Sequence, residues 1–313
     1  MAVAGAFLAT PGVFGAGFQI TERSAAGLGR AFSGEAAIGD DASVLASNPA
    51  ATVLLGGGWN YAAGATYINP GADATLFPTV TGGNAGPAVQ DDDIAGDAWV
   101  PYLYVTKKIN DSLTVGAGLF SGYGLRTDYS DASANLVGTN FSEVTTINFN
   151  PSIGYRVNEY FSIGAGFNVV YGDGELTSNS VPAVGAPSFG LEGDDWGFGY
   201  NVGFLFELSQ ATRVGLSYRS EIDLALDGSV TGSIVGGASI PGELEIELPA
   251  TAELSLYHEF SDKWAVHGDI LWTQWSSFDN LAPQVSTGNA LQDAAINGGL
   301  ATPQDWNLSL IHI

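Results

Sequence analysis

Histidine is scarce in this 313-residue sequence, with only His258, His267 and His312 present. A Ser/His/Asp site would have to use one of the first two, and His267 beside Asp269 is the better placed. No Gly-x-Ser-x-Gly elbow or comparable nucleophile motif accompanies either. Both therefore read as lumen or interface histidines, and no catalytic residue is expected. Cysteine is absent, which excludes thiolate catalysis, disulfides and Cys-ligated zinc. Asp91-Asp92-Asp93 with Asp97 offers oxygen ligands but lacks the spaced Asp pattern and glycine of a calcium loop. It reads as a solvated acidic loop, and no metal site is expected. Gly116-Ala117-Gly118 and Gly164-Ala165-Gly166 lie inside alternating runs, where glycine marks close approach or curvature rather than a phosphate cradle. The chain is expected to be no enzyme and to hold no cofactor.

The elements that carry these residues must first explain an odd composition. Thirty-three acidic and nine basic side chains make only 13% charged residues, where soluble domains have about 25%. A membrane-spanning helix needs about 20 consecutive apolar residues, yet the longest charge-free stretch, 42–72, is broken by Asn48-Pro49, Gly56-Gly57-Gly58 and Asn60. A helical bundle is excluded. What remains is a β-protein, either a large soluble sandwich or propeller or a barrel facing lipid. The net charge of −24 argues against nucleic acid, whose phosphates require clustered Lys and Arg.

From Trp59 the pattern is period two, the sign of a half-buried strand. Trp59, Tyr61, Ala63, Ala65 and Tyr67 share one face. At about 3.3 Å per residue, the two end aromatics stand about 26 Å apart along the strand, or about 20 Å once it tilts as barrel strands do. Leu113, Val115, Ala117 and Leu119 repeat the pattern, as do alternate residues from Phe161 to Tyr171 and from Trp196 to Leu208. Val214, Leu216, Tyr218 and then Ile222, Leu224, Leu226 are read in the same way, as an outward apolar face with Arg213, Arg219 and Asp223 opposite. Tight turns at Asn110-Asp111, Asn158-Glu159, Ser209-Gln210 and Ser261-Asp262 alternate with long polar loops near 69–96, 126–140, 172–193, 228–243 and 279–304. Short turns at one end and long loops at the other describe an outer-membrane barrel. A propeller would fit four short strands into the same spacing, where this chain has two long ones. Closure follows, because in lipid every backbone polar group must be paired.

Residues 1–15 are apolar and small, with Val13 and Gly15 placed as in a signal-peptidase site before Ala16. They are expected to be a residual signal peptide lacking its basic start; the alternative is an N-terminal core strand. Residues 16–52 do not alternate. Short helices are expected within 24–32 and 41–46, capped by Ser24 and Asp41.

The ordered run Ala16-Gly17-Phe18-Gln19, then Ser24-Ala25-Ala26-Gly27-Leu28-Gly29-Arg30, then Asp40-Asp41-Ala42, then Asn48-Pro49-Ala50 closely resembles the N-terminal hatch of the FadL/TodX family of outer-membrane transporters. Tyr123-Gly124-Leu125 with Asp128-Tyr129, Asn150-Pro151-Ser152, and the stretch from Asp269 to Phe278 extend the likeness over nearly the whole chain. The resemblance implies an all-β fold, a transmembrane antiparallel barrel of fourteen strands with a small helical hatch in its lumen. About nine strands are complete here, with 16–52 as hatch and 53–307 as incomplete barrel. It implies passive uptake of long-chain fatty acids or other hydrophobic compounds, with hatch-gated lateral release through the wall. By motif match, Phe18, Gln19, Arg30, Asn48, Pro49 and Ala50 belong to the ligand pocket and hatch. Gly122, Tyr123, Gly124 and Leu125 form the third-strand kink, Gly122 and Tyr123 standing where the family has Pro-Phe. No carboxylate-binding residue is assigned.

The final six residues, Leu-Ser-Leu-Ile-His-Ile, translate the mosaic-end adapter of transposon sequencing libraries. Residues 308–313 are expected to be adapter-encoded, with the natural gene continuing. The expected partners are a hydrophobic small molecule (fatty acid, alkane or aromatic), outer-membrane lipid and lipopolysaccharide; no nucleic acid is expected. A monomer in the outer membrane of a Gram-negative bacterium is anticipated. The alternatives are a general diffusion porin, which would have an open lumen, and a structural or adhesin barrel.

Overall fold

The computed structural model describes residues 18–76, 87–133, 140–178, 188–277, 280–281 and 283–288, together with 293, 297, 302–303 and 309–312. The expected signal segment 1–15, with Ala16 and Gly17, lies outside them. The period-two runs form the strands β1 (Gly58–Ile68), β2 (Ala98–Lys108), β3a (Leu113–Phe120), β3b (Gly124–Asp128), β4 (Phe141–Asn158), β5 (Phe161–Ser178) and β6 (Phe189–Ser209). They continue as β7a (Thr212–Arg219), β7b (Ile222–Thr231), β8a (Ile240–Leu248), β8b (Thr251–Ser261), β9 (Trp264–Thr273) and β10 (Ser309–His312). Each strand pairs antiparallel with the next in sequence, β7b with β8a and β7a with β8b. The nine expected strands are present, three of them in two segments, and the backbone of Ser309–His312 pairs with Ile270–Thr273.

The expected tight turns join β2 to β3a, β4 to β5, β6 to β7a and β8b to β9. Each is closed by its first polar residue, whose side chain accepts the N–H two positions on. Asn110 takes Ser112 N–H at 2.9 Å, Asn158 takes Tyr160 N–H at 2.8 Å, Ser209 takes Ala211 N–H at 3.2 Å, and Ser261 takes Lys263 N–H at 3.5 Å. Asn and Ser hold such turns because a short side chain can mimic the backbone's own turn bond.

The outer face is apolar and aromatic. Trp59 is 57% exposed and Phe198 61%, with Tyr61, Leu119, Ile163 and Phe167 also exposed. Tyr67 lies 5.1 Å from Trp99 and Tyr171 5.1 Å from Trp196 towards the long-loop ends. Trp59, Phe260 and Trp264 stand at the tight-turn ends. A sheet displaying this many large apolar side chains outward needs lipid against it, which a soluble sandwich or propeller would not supply.

Two features depart from the sequence reading. The long loops at 172–193 and 228–243 are shorter than expected, because β5 runs to Ser178 and β6 starts at Phe189, while β7b and β8a leave only 232–239 between them. These extensions keep the period of two but expose Asp173, Glu175, Glu192 and Asp194 outward, so their composition resembles loop while their geometry is strand. Secondly, Ile222, Leu224 and Leu226 point inward, at 3%, 1% and 0% exposure. Along β7a the inward positions are odd, as at Gly215 and Ser217; beyond Ser220 they are even. The same inversion occurs in the neighbouring strand across Pro249-Ala250: Glu253 and Ser255 are buried in β8b, Leu244, Ile246 and Leu248 in β8a. Exposed Asp223, Asp227, Glu245 and Glu247 occupy the opposite face. A one-residue break in a period of two flips every side chain, and here it carries the apolar face from the outside of the wall to its inside.

The described part of the hatch begins at Phe18. Helix α1 (Ala25–Gly29) is capped as expected, Ser24 accepting the Gly27 N–H at 2.9 Å. Helix α2 (Val44–Ser47) has Ser43 rather than Asp41 at its N-cap; the Asp41 carboxylate instead accepts the Ser43 N–H at 2.8 Å, fixing the turn before it. A 3-10 helix, Pro49–Leu54, follows, and β1 begins at Gly58.

Candidate functional site

The hatch touches the wall in two ways. Asn48, wholly buried, donates through Nδ2 to the carbonyls of Ala36 (2.7 Å) and Phe204 (3.1 Å), and its Oδ1 accepts the Ala50 N–H at 2.9 Å. That last bond caps the 3-10 helix, whose Pro49 costs nothing at a first turn that has no partner for its N–H. The helix lies so close to β5 and β6 that a Cβ at Gly203 would stand 1.9 Å from Asn48 Oδ1, and one at Gly164 2.3 Å from the Ala50 nitrogen. Close backbone approach is therefore why these inward positions are glycine.

Beside this anchor, the Ala36 N–H is accepted by Glu253 Oε1 at 2.9 Å. Arg30 pairs with Glu35 at 2.7 Å and also with Asp40. Burial pushes the Glu35 carboxyl above its ordinary value, and the Arg30 guanidinium pulls it partly back. Arg30 is thus spent inside the hatch, away from the apolar space described next.

The second contact is at the third strand, which is interrupted between Phe120 and Gly124. Into this break the hatch inserts Phe18, Gln19 and Ile20. Gln19 forms an isolated antiparallel bridge with Tyr123, the Ile20 N–H donates to the Gly122 carbonyl at 2.9 Å, and the Gly124 N–H donates to the Phe18 carbonyl at 2.9 Å. Gln19 Oε1 accepts from Thr273 Oγ1 at 3.0 Å. Tyr123 turns inward, donating its hydroxyl to the Pro249 carbonyl at 2.7 Å. Phe18 packs edge-on against Tyr123 at 5.8 Å and Trp275 at 5.0 Å. Beyond the break the strand partner of β3b is β4, with further backbone bonds from Gly124 to Phe18 and from Asp128 to Ile94, whereas β3a pairs with both β2 and β4. Among the described residues, the wall is unzipped between β2 and β3b.

Behind the break lie two adjoining spaces. One, with free volume about 30 Å³, is mainly apolar, lined by Phe18, Leu125, Val144, Leu176, Leu244 and Ile246 together with Ser142, Glu143 and Glu175. The other, about 20 Å³, is lined by Gln19, Gly122, Tyr123, Asn148, Arg23 and Arg219, among others. A volume of this order holds a water or two, so a larger guest must displace side chains. Arg219 donates to Asn168 Oδ1 and to the Ala46 carbonyl at 2.7 Å, with its guanidinium 5.5 Å from the Phe120 ring. Neither Arg23 nor Arg219 has a carboxylate partner among the described residues. Beneath them Asn148, Asn150, Asn168 and Asn201 join one another across three strands, with Asn150 Nδ2 to Asn201 Oδ1 at 2.8 Å.

The structure thus brings Phe18, Gln19, Gly122, Tyr123, Gly124 and Leu125 together at one place, and Asn48, Pro49 and Ala50 together at another. Arg23, Arg219 and the asparagine cluster were not singled out from sequence. The only signal for Arg219 and the asparagines was their position on the face opposite the aromatics, and Arg23, in the hatch ahead of α1, offered none. Neither expected histidine takes part: His258 Nδ1 lies 2.8 Å from Thr212 Oγ1, and His267 flanks the hatch turn at Ser33.

Comparison with known proteins agrees with this geometry. The pattern of the outer membrane protein transport family (OMPP1/FadL/TodX) matches residues 6–306. A long-chain fatty acid transport protein of Escherichia coli is 36% identical over 93% of this chain and 73% of its own length. Outer membrane protein P1 of Haemophilus influenzae is 31% identical over 96% and 76%. Among solved structures, a Pseudomonas aeruginosa FadL homologue superposes with TM-score 0.73 at 21% identity, covering 95% of this chain and 76% of its own. The Ralstonia pickettii toluene transporter TbuX gives 0.61 at 20% identity, covering 87% and 76%. With its lipid-facing sheet and inserted hatch, the chain belongs to the OMPP1/FadL/TodX family of outer-membrane transport proteins.

Proposed function

We propose that this chain carries long-chain fatty acids across the outer membrane, with Arg23 and Arg219 receiving the carboxylate and the adjoining apolar space receiving the acyl chain. The observation that carries this reading is the pair of arginines without a carboxylate partner, placed beside a space lined by Phe18, Leu244 and Ile246. Two half-buried cations lining one space repel each other and are stabilised by an anion between them. An aromatic hydrocarbon, such as the toluene named for the Ralstonia protein, would leave both cations unanswered.

The unzipped wall between β2 and β3b supports sideways release into the bilayer, with Phe18, Gln19 and Ile20 as the part of the hatch that moves. Asn48, Pro49 and Ala50 hold the remainder in place. Release of this kind needs no nucleotide or catalytic step, and we infer that the protein is a passive carrier rather than an enzyme. It acts as a monomer among outer-membrane lipid and lipopolysaccharide. A general diffusion porin is disfavoured because the 3-10 helix occupies the lumen against β4, β5 and β6, and α2 packs against β3a.

Binding of oleate and of methyl oleate to the reconstituted protein tests the reading. Arg219→Gln and Arg23→Gln should each weaken oleate by about tenfold, the worth of a hydrogen bond to a charged group, and leave the ester unchanged. Equal affinity of wild type and both variants for oleate would sink it.

A further inference from the structure

The inward turn of β7b and β8a gives the apolar space a wall of its own, and the position of that wall is set by glycines on β5 and β6. Leu226 and Leu244 are direct cross-strand partners, as are Leu224 and Ile246, so their side chains form one apolar face. Leu244 and Ile246 line the space opposite Val144 and Leu176. Leu224 and Leu226 instead press on the inner faces of β5 and β6. A Cβ at Gly172 would stand 2.6 Å from Leu224 Cδ1, and one at Gly174 2.5 Å from Leu226 Cδ1. A Cβ at Gly197 would meet Ile222 Cγ2 at 2.4 Å. The leucines are wholly buried and close-packed, so a methyl added beneath them cannot be absorbed and must lift the hairpin.

We propose that the contact of Leu226 with Gly174 is a spacer that fixes the width of the apolar seam, and so selects an unbranched alkyl chain over a fused ring. The residues that choose the ligand's cross-section would then lie one layer behind those that touch it. The narrow seam, with about 30 Å³ free, admits a chain one methylene wide when its lining side chains shift rotamer; a flat ring system needs the whole hairpin to move. Gly174 acts through Leu226 and Leu244, and is a specificity-determining residue without being a ligand contact. This inference rests on the fatty-acid reading above.

The test compares oleate with anthracene-9-carboxylate, two ligands sharing the carboxylate but differing in cross-section, on the full chain in phospholipid nanodiscs. Gly174→Ala should lift the hairpin and shift the affinity ratio towards the ring ligand by about tenfold, the scale at which one methylene in an apolar pocket discriminates. Adding Leu226→Val, which removes the atom that the new methyl meets, should return the ratio to the wild-type value. Leu244→Ala, which enlarges the seam directly, should shift the ratio in the same direction as Gly174→Ala. A folded Gly174→Ala variant with an unchanged ratio would overturn the spacer, as would a shifted ratio that Leu226→Val fails to restore. If wild type binds neither ligand, the fatty-acid reading fails instead.

Discussion

The two attachments of the hatch differ in kind. At Asn48 a single buried amide makes three hydrogen bonds at once, against glycines that let two backbones meet. At Phe18 the chain makes two backbone bonds to an interrupted strand and one side-chain bond from Thr273 to Gln19, and beyond these it relies on aromatic packing. Polar bonds in a dry site are costly to leave unmade, so the Asn48 end is all-or-none. Aromatic packing can be exchanged for another apolar surface at little net cost, so the Phe18 end can yield to a ligand. Under the proposed release, the first segment stays in place and the second is displaced.

That contrast can be broken from the fixed end. Asn48→Leu removes the three hydrogen bonds of this buried amide, at about 1–3 kcal/mol for each group left unpaired, and should undock the hatch. Because the chain has no cysteine, a single introduced thiol at Ser47 reports undocking as rapid maleimide labelling. Continued protection there would remove Asn48 from the role of anchor. Phe18→Ala, at about 3 kcal/mol for a buried phenyl ring, should expose a thiol placed at Ile20 while one at Ser47 stays protected. Equal labelling at both would mean that the two attachments are one cooperative unit. Gly203→Ala should cost about 1–3 kcal/mol through overpacking against Asn48, giving partial labelling at Ser47 and none at Ile20.

The smallest effect concerns pH. Burial raises the folded-state pKa of Glu35, so its contribution favours docking fully below the ordinary glutamate value and is lost as pH rises through the raised one. Hatch amides should exchange more slowly at pH 5 than at pH 7.5 after correction for intrinsic rates, and Glu35→Gln should flatten the difference. An unaltered pH dependence in that variant would assign the effect to another group.

Much of the wall was legible from sequence because lipid imposes a simple demand: every second residue from Trp59 to Tyr67, or from Trp196 to Leu208, must be apolar. The turns were legible because Asn and Ser at their first positions act locally. What could not be read was which way an apolar stripe faces. Ile222, Leu224 and Leu226 continue the spacing of Val214, Leu216 and Tyr218 without a visible seam, and only the break at Ser220-Glu221 turns them inward. Pro249 in the partner strand was the available hint, since proline cannot donate to a ladder. The site was legible where residues adjacent in sequence act together, as in Asn48-Pro49-Ala50 and Gly122-Tyr123-Gly124-Leu125. It was hidden where Arg23 and Arg219 line one space, because nothing local relates positions so far apart.

The self-closed turns bear on how such a sheet can assemble. Each of the four draws its closing bond from a side chain two residues away, so the cost of bringing two strands together is met within a handful of residues. Hairpins made in this way need no information from the rest of the chain and can form on the microsecond scale of isolated hairpins. The slow, non-local step is then confined to the long-loop ends and to docking of the hatch on its glycines. Kinetic failure in this protein should accordingly appear as intact hairpins with an undocked hatch, rather than as unpaired strands.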